Sequence, residues 1–228
     1  MRDDRRCLGS FERELHARGF LHVAGADEAG RGSLFGPVYA AAVILDPHRP
    51  VAGLRDSKQL SPEQREELAE LIRLRAVAWS VASVDAFVID SINILEASRL
   101  AMQRAVEQLP VRPDFLLLDA VSLDLPVPQS VLIHGDERCQ AIAAASILAK
   151  VSRDAAMREW DRVYPQYGLA RHKGYPAPEH LDALAAFGPS PHHRFSYRPV
   201  REVCTRPLRA WLPSREDGYR FWEPGNLG

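Results

Sequence analysis

The chain has 228 residues, of which 46% are hydrophobic, and its 29 Lys and Arg nearly balance 30 Asp and Glu, for a net charge of −1. These values are typical of one globular domain with a small appendage and exclude a disordered or fibrous chain. No apolar run approaches the roughly 18 residues of a membrane span, and the highly charged start excludes a secretory signal. Three dispersed cysteines exclude a disulfide framework, so we expect a cytoplasmic protein without membrane contact.

The predicted elements alternate between short apolar runs, typical of strands, and longer stretches with helical spacing. In chain order they are a helix over 11–18 capped by Ser10, strands over 21–26 and 38–45, a helix from Ser61, a strand over 77–83, a helix capped by Asp85, a helix over 92–109, strands over 115–118 and 131–133, and helices over 140–160 and 179–187. Short links favour antiparallel pairing of the first strands, and helical crossovers favour parallel pairing of the later ones. The order predicts an α/β domain with a mixed sheet.

Four acidic residues stand at the ends of three predicted strands. Asp27 and Glu28 are adjacent, Asp119 ends the run LLLD, and Asp136 follows the run VLIHG. Ligands of open α/β sheets bind at such strand ends, and crowded carboxylates repel one another unless a divalent cation lies between them. Any one of these acids taken alone is better interpreted as a helix cap or a strand end. The set of four predicts a site for Mg²⁺ or Mn²⁺.

Two short polar motifs are candidate phosphate contacts. Gly30, Arg31 and Gly32 follow the acidic pair and offer exposed N–H groups and a guanidinium to a sugar–phosphate chain. Ser57 and Lys58 precede the capped helix, whose first N–H groups favour anions. A plain turn in the first case, and a solvated turn in the second, are the alternatives.

Basic residues are concentrated between Arg138 and Lys173, where seven Lys and Arg face three acids and are interleaved with tyrosines and histidine. This pattern favours a nucleic-acid-binding surface, with cations for phosphates and rings for sugars or bases. An exposed, solvated helix face is the alternative. His192 and His193 lack the partner spacing of a metal site and are interpreted as loop residues.

From residue 25 to about residue 200 the chain contains ordered blocks that include GADEAGRGSLFGPVYAAAVIL, LRDSKQLS, LLLDA, HGDERCQAIAAASILAKVSRD and YGLARHKGY. In these blocks the chain resembles the bacterial ribonucleases HII, a family of type 2 ribonucleases H. The resemblance implies a ribonuclease H-like fold, with a five-stranded mixed sheet flanked by helices and a small helical C-terminal part. Residues 1–20 are then an N-terminal helix, 21–203 the catalytic domain, and 204–228 an extension with Trp211, Tyr219 and Trp222 as candidate anchors.

The resemblance also implies the activity. Members cleave the RNA strand of RNA–DNA hybrids and incise on the 5′ side of single ribonucleotides in duplex DNA, leaving a 3′-hydroxyl and a 5′-phosphate by two-metal-ion catalysis. Carried over residue by residue, the catalytic and metal-binding residues are Asp27, Glu28, Asp119 and Asp136. The substrate-binding residues are Gly30, Arg31 and Gly32 at the 2′-hydroxyl, Tyr175 against the next deoxyribose, and Ser57, Lys58, Ser146 and Lys150 at phosphates.

Two alternatives and one departure accompany this interpretation. A non-catalytic nucleic-acid-binding protein on the same fold would lack at least one carboxylate, whereas all four positions are acidic here. Ribonucleases HIII carry an extra N-terminal domain, which the 26 residues before Asp27 cannot supply. Ser33 stands where proline is commoner, a change expected to loosen that turn. We expect a monomer.

Overall fold

The computed structural model describes residues 9–204, which fold around one five-stranded mixed sheet. The strands are β1 (Val23–Ala29), β2 (Val38–Ile44), β3 (Ala78–Val84), β4 (Phe115–Asp119) and β5 (Gln129–Leu132). Their order across the sheet is β3-β2-β1-β4-β5. The predicted α/β class with a five-stranded mixed sheet is confirmed. The candidate anchors Trp211, Tyr219 and Trp222 lie outside the described residues, and the proposed domain boundaries stay a prediction.

Helices flank the sheet on both faces and form a small C-terminal part. In the described residues they are α1 (Ser10–Ala17), α2 (Pro62–Arg75), α3 (Ala86–Ile92), α4 (Ile94–Glu107), α5 (Gly135–Arg138), α6 (Gln140–Val163), α7 (Leu169–His172), α8 (Pro178–Phe187) and α9 (Arg198–Cys204). Predicted boundaries differ from these by no more than three residues. Helices α5, α7 and α9 were not predicted, because they are too short to show helical periodicity. No helix of residues 9–204 combines the length and apolarity needed to cross a membrane.

Local capping accounts for several helix starts. Ser61 accepts a hydrogen bond from the Gln64 N–H, and the Gln64 side chain accepts one from the Ser61 N–H, which is the predicted capping box of α2. Asp85 caps α3 as predicted, through the Val88 N–H. The predicted Ser10 cap is wrong: Ser10 already belongs to α1, and Gly9, with φ 62°, occupies the cap position.

Strand direction follows the prediction except at β3. β1 pairs antiparallel with β2 and parallel with β4, which in turn pairs parallel with β5. Strand β3 lies antiparallel to β2 although α2 connects them. The connection first runs along the sheet to Ser57, at the cavity described below, and α2 then returns to the edge where β2 ends, so that Val77 N–H bonds the Ile44 carbonyl. Strand β3 therefore begins at the end of the sheet where β2 finishes, and the two strands run antiparallel.

The alternation of side chains along β1 decides which helix faces the acidic residues. Ala24 and Ala26 are fully buried in the hydrophobic cluster on the α4 side of the sheet. Gly25 points the other way, against the backbone of α6 at Ala141. Successive strand residues face opposite sides, so Asp27 lies on the α6 side with Gly25. Helix α6 thereby brings its own polar residues beside Asp27.

Candidate active site

The four predicted acidic residues line one cavity of about 250 Å³. Asp27 and Glu28 lie in the C-terminal half of β1, Asp119 ends β4, and Asp136 belongs to α5 just after β5. Because β1, β4 and β5 are parallel neighbours, their carboxyl ends meet at one edge of the sheet. The predicted substrate-binding residues line the same cavity: Gly30, Arg31, Gly32, Ser57, Lys58, Ser146, Lys150 and Tyr175.

Hydrogen bonds hold two of the carboxylates in place. Asp27 Oδ1 accepts from the Glu28 N–H at 2.7 Å, and the Ser146 hydroxyl also bonds this carboxylate. The Ser146 hydroxyl lies 3.0 Å from that of Ser57, and both serines are buried. Asp119 Oδ1 accepts from the Gly135 N–H at 2.7 Å. In the structure, the hydroxyls of the two serines therefore support the Asp27 carboxylate. Their contacts with substrate phosphates stay predictions.

The negative charges are crowded in a partly dry environment. Burial raises the pKa of Asp27 well above its usual range, and the neighbouring Glu28 and Asp119 raise it further. Burial also raises the pKa of Glu28, against the opposing effect of Arg31, whose Nη1 lies 3.3 Å from the Glu28 carboxylate. Burial raises the pKa of Asp136, which Lys58 partly offsets. The folded protein therefore holds these charges together at a cost in free energy.

The donor set fits a hard divalent cation. All four acidic residues offer oxygen donors, and no His or Cys lines the cavity, which suits Mg²⁺ or Mn²⁺ better than Zn²⁺. Within residues 9–204, no three acidic, histidine or cysteine side chains are arranged around a common ion position. The acids share the cavity, and binding an ion would require their side chains to adjust.

The two predicted lysines differ in exposure. The Lys58 side chain is 81% exposed at the cavity, with its Nζ 3.5 Å from Asp136 and 3.7 Å from Asp56. Lys150 is mostly buried, and its Nζ donates to Asp154 at 2.7 Å. Lys58 is therefore the freer of the two to meet a phosphate at the cavity mouth.

The predicted basic surface is less positive than the sequence count indicates. Arg153 is fully buried, so it is not a surface cation. Arg158 and Arg171 pair with Glu66 and Glu179, two acids that lie outside the counted segment. The surplus of positive charge is partly neutralised because folding brings these acids from other elements.

Tyr175 lies beside two cations and the glycine-rich turn. Its ring centroid is 5.2 Å from Arg153 Cζ and 5.7 Å from Lys150 Nζ, both within the range of cation–π attraction. A Cβ added at Gly32 would lie 3.8 Å from the ring. The ring is therefore held at the cavity wall, next to the turn formed by Gly30, Arg31 and Gly32.

A chain of buried histidines, which the sequence analysis did not identify, supports the Tyr175 backbone. His180 Nδ1 donates to the Tyr175 carbonyl at 2.9 Å, and its Nε2 lies 3.1 Å from Nε2 of His193. His193 Nδ1 in turn accepts from the Ser190 N–H. These partners require both rings to be neutral, in keeping with burial that lowers the pKa of His180 to about 4 and that of His193 to about 3. His193 lies in a loop, as predicted, and also has this structural role.

Hydrogen bonds hold the turn at Ser33, and the expectation that Ser33 loosens this turn relative to proline stays a prediction. Ser33 is buried, and its hydroxyl donates to the Phe35 carbonyl at 2.9 Å, a bond that proline cannot make. The next residue, Leu34, donates its N–H to the Gly174 carbonyl at 2.8 Å. The turn is thereby tied to the segment that carries Tyr175.

A mixed sheet in this order, with carboxylates where β1 and β4 end, defines a protein with the ribonuclease H-like fold. Residues 24–200 match the family model of Ribonuclease HII. The chain is 64% identical over 203 residues to the ribonuclease HII of Solibacter usitatus, covering 89% of either chain. The chain belongs to the ribonuclease HII family, whose members are hydrolases that depend on divalent metal. This assignment decides against the non-catalytic and ribonuclease HIII alternatives.

Solved structures agree with the fold. The ribonuclease H2 of Pyrococcus horikoshii OT3 superposes with a TM-score of 0.67 at 26% identity, covering 80% of this chain and 97% of that one. Bst-RNase HIII in complex with Mn²⁺ gives a TM-score of 0.64 at 20% identity, covering 83% and 71% of the two chains. The second similarity concerns the fold alone.

Proposed function

We propose that this ribonuclease HII, besides hydrolysing the RNA strand of RNA–DNA hybrids, incises duplex DNA on the 5′ side of single embedded ribonucleotides. The observation that carries the proposal is that one cavity is lined by four carboxylates, the glycine-rich turn and the ring of Tyr175. The carboxylates serve hydrolysis, and the glycine-rich turn and the Tyr175 ring serve recognition of a sugar.

Recognition of a junction requires two neighbouring sugars to be distinguished. Main-chain N–H groups of the turn at Gly30, Arg31 and Gly32 can donate to a ribose 2′-oxygen, the atom that separates RNA from DNA. Tyr175 presents a flat ring beside that turn, against which a deoxyribose packs without a hydroxyl to desolvate. Lys58, and in the proposal also Ser57, Ser146 and Lys150, contact phosphates of the bound strand.

Asp27, Glu28 and Asp119 are the proposed principal ligands for two Mg²⁺ or Mn²⁺ ions, with Asp136 as an additional one. The chemistry supplied by bound ions at such sites is activation of the attacking water and stabilisation of the leaving 3′-oxygen, which yields a 3′-hydroxyl and a 5′-phosphate. The Glu28 N–H and Ser146 orient Asp27, and the Gly135 N–H orients Asp119. These bonds reduce the reorganisation that ligand binding would need.

The proposal includes the quaternary state and location of the protein. We expect a monomer, for which light scattering should give the chain mass of 25.5 kDa. Cys139 and Cys204 are free thiols in the structure, which suits a reducing cytoplasm.

The test is a comparison of three labelled duplexes of one sequence: all DNA, DNA with one ribonucleotide, and a continuous RNA–DNA hybrid. With Mg²⁺ or Mn²⁺, the single-ribonucleotide duplex should be cut once, on the 5′ side of the ribonucleotide, and the all-DNA duplex should stay intact. A chelator should abolish cutting. Efficient cutting of the hybrid without incision at the single ribonucleotide would contradict the proposal.

Replacing Tyr175 by Ala should impair junction incision more than cutting within the hybrid. Loss of one stacking ring corresponds to roughly 10- to 100-fold at the junction, whereas inside an RNA strand the next sugar carries a hydroxyl and gains less from the ring. The measurement is kcat/KM on both substrates. Tyr175→Phe, which keeps the ring, is the matched control and should stay near wild type. Equal losses on both substrates would refute the stacking role.

A further inference from the structure

The glycine-rich turn is held from behind by a buried arginine. Arg194 is fully buried, and its Nη1 donates to the carbonyl oxygens of Gly30 and Arg31, each at 2.8 Å. Its Nε donates to the Gly36 carbonyl at 3.0 Å, and Tyr197 also donates to the Arg31 carbonyl. Hydrogen bonds from a charged donor are stronger than neutral ones, particularly away from water. The orientation of two consecutive peptide groups therefore depends on this guanidinium.

The same hydrogen bonds also fix the direction of the N–H groups on the opposite side of the turn. In a trans peptide the C=O and the following N–H point in opposite directions. With the carbonyls of Gly30 and Arg31 directed inward to Arg194, the N–H groups of Arg31 and Gly32 face away from it. Across residues 9–204, these two N–H groups have no protein acceptor. Both residues line the acidic cavity.

A second buried arginine packs against the turn at Gly30. Gly30 has φ 97°, and a Cβ at this position would lie 2.0 Å from Arg153 Nε, so only glycine fits. Arg153 also donates from Nη2 to the Lys173 carbonyl at 2.9 Å. The turn rests on side chains that belong to α6 and to the loop before α9.

We propose that Arg194 is the positioning residue for ribonucleotide recognition: it turns the N–H groups of Arg31 and Gly32 toward the cavity as a preformed pair of donors for a 2′-oxygen. The inference rests on the proposed function and deepens it. A donor pair that is already oriented needs no reorganisation when substrate arrives, so its full contribution appears as selectivity for ribose. Arg194 itself does not touch the substrate.

The test uses Arg194→Lys, which keeps the positive charge but lacks the planar fork. Binding to the single-ribonucleotide and all-DNA duplexes is measured in chelator, as the ratio of the two Kd values. The variant should lose roughly tenfold in this ratio, the size of about one hydrogen bond, and should bind all-DNA duplex as wild type does. Val200→Ala is the control, because Val200 is buried against Leu34 and Leu184 without a hydrogen bond to the turn. Val200→Ala should lower the free energy of unfolding and leave the ratio of the two Kd values unchanged.

Three outcomes separate this inference from the proposed function. If wild type incises the junction and folded Arg194→Lys keeps the wild-type ratio, the inference is wrong and the function stands. If Val200→Ala loses the ratio equally, the effect is only structural and the inference is again wrong. If wild type binds the ribonucleotide duplex preferentially but does not cut it, the proposed function fails alone.

Hydrogen exchange on the wild-type protein can overturn the inference even if Arg194→Lys does not fold, because it tests the pair of N–H donors that Arg194 is proposed to orient. The amides of Arg31 and Gly32 should exchange rapidly in the free protein and become protected by the single-ribonucleotide duplex, but not by the all-DNA duplex. The Leu34 amide, bonded to the Gly174 carbonyl, should be protected in every state and serves as the internal reference. Equal protection of residues 31 and 32 by both duplexes would overturn the inference.

Discussion

Asp27→Asn should reduce hydrolysis by more than about 100-fold, the upper range for disturbing a metal ligand's surroundings, and should make the metal-free protein more stable at neutral pH. Activity falls because Asn cannot supply the negative oxygen that a divalent cation prefers. Stability rises because a buried charge beside Glu28 and Asp119 is removed. The Asn oxygen can still accept from the Glu28 N–H, so the local hydrogen bond survives.

The stability gain should depend on pH, with a sign set by the raised pKa of Asp27. Burial raises that pKa in the folded protein, so folding favours the protonated acid. The contribution of Asp27 to stability is complete below the unfolded pKa of about 4 and is lost as pH rises through the folded value. The difference in Tm between Asp27→Asn and wild type should therefore be small near pH 4 and grow toward pH 7. Each kcal/mol corresponds to roughly 2–4 °C.

With divalent metal, the wild type should become more stable than Asp27→Asn, the reverse of their order without metal. Added Mg²⁺ or Mn²⁺ binds the folded wild type and should raise its Tm, whereas the variant should respond less. Asp85→Asn is the matched control, because Asp85 is an exposed cap of α3 and Asn caps equally well. It should keep full activity and Tm. Asp27→Asn with activity within a few-fold of wild type would eliminate Asp27 as a ligand.

Gly25→Ala should have the largest effect on stability. A Cβ at Gly25 would lie 2.2 Å from the backbone carbon of Ala141 and 2.4 Å from the backbone nitrogen of Ile142. Backbone atoms cannot rotate away as a flexible side chain can, so β1 and α6 must separate. Overpacking usually costs about 1–3 kcal/mol, and a clash with backbone at the centre of the sheet should exceed about 4 kcal/mol. Urea unfolding measures the loss.

The same displacement should also impair catalysis, because β1 carries Asp27 and α6 carries Ser146, which bonds it. Gly32→Ala is the stability control: it is the same substitution, but its Cβ meets only the Tyr175 ring, at 3.8 Å. The free energy of unfolding of Gly32→Ala should lie within about 0.5 kcal/mol of wild type, the range of surface substitutions. If Gly25→Ala unfolds like Gly32→Ala, the close approach of β1 and α6 is not as tight as described.

Sequence patterns were sufficient for most of the scaffold. Periodicity placed the strands and longer helices, and the capping residues Ser61 and Asp85 gave helix starts, because these signals involve residues within one or two turns of each other. The four acids were found from their positions after apolar runs. Direction was misjudged only at β3, where the path of the connecting segment, rather than its helical content, decides the pairing.

The buried residues that contact the glycine-rich turn and the Tyr175 segment could not be identified from the sequence. The count of cations assigned Arg153 to the surface, whereas it is buried beneath Gly30 and Tyr175. The contact of Arg194 with Gly30 joins residues 164 positions apart, and no local sequence pattern predicts it. The neutral chain through His180 and His193 likewise depends on which polar groups meet after folding.

By itself, the sequence determined the elements of the sheet, the acidic set and the family to which the chain belongs. These follow from hydrophobic periodicity and from ordered motifs, which are properties of neighbouring residues. The tertiary structure decided which charges are buried, which hydroxyls hold Asp27, and which way the turn at Gly30 faces. Such properties depend on distances between remote segments and on loss of water around them, and both arise only when the chain packs.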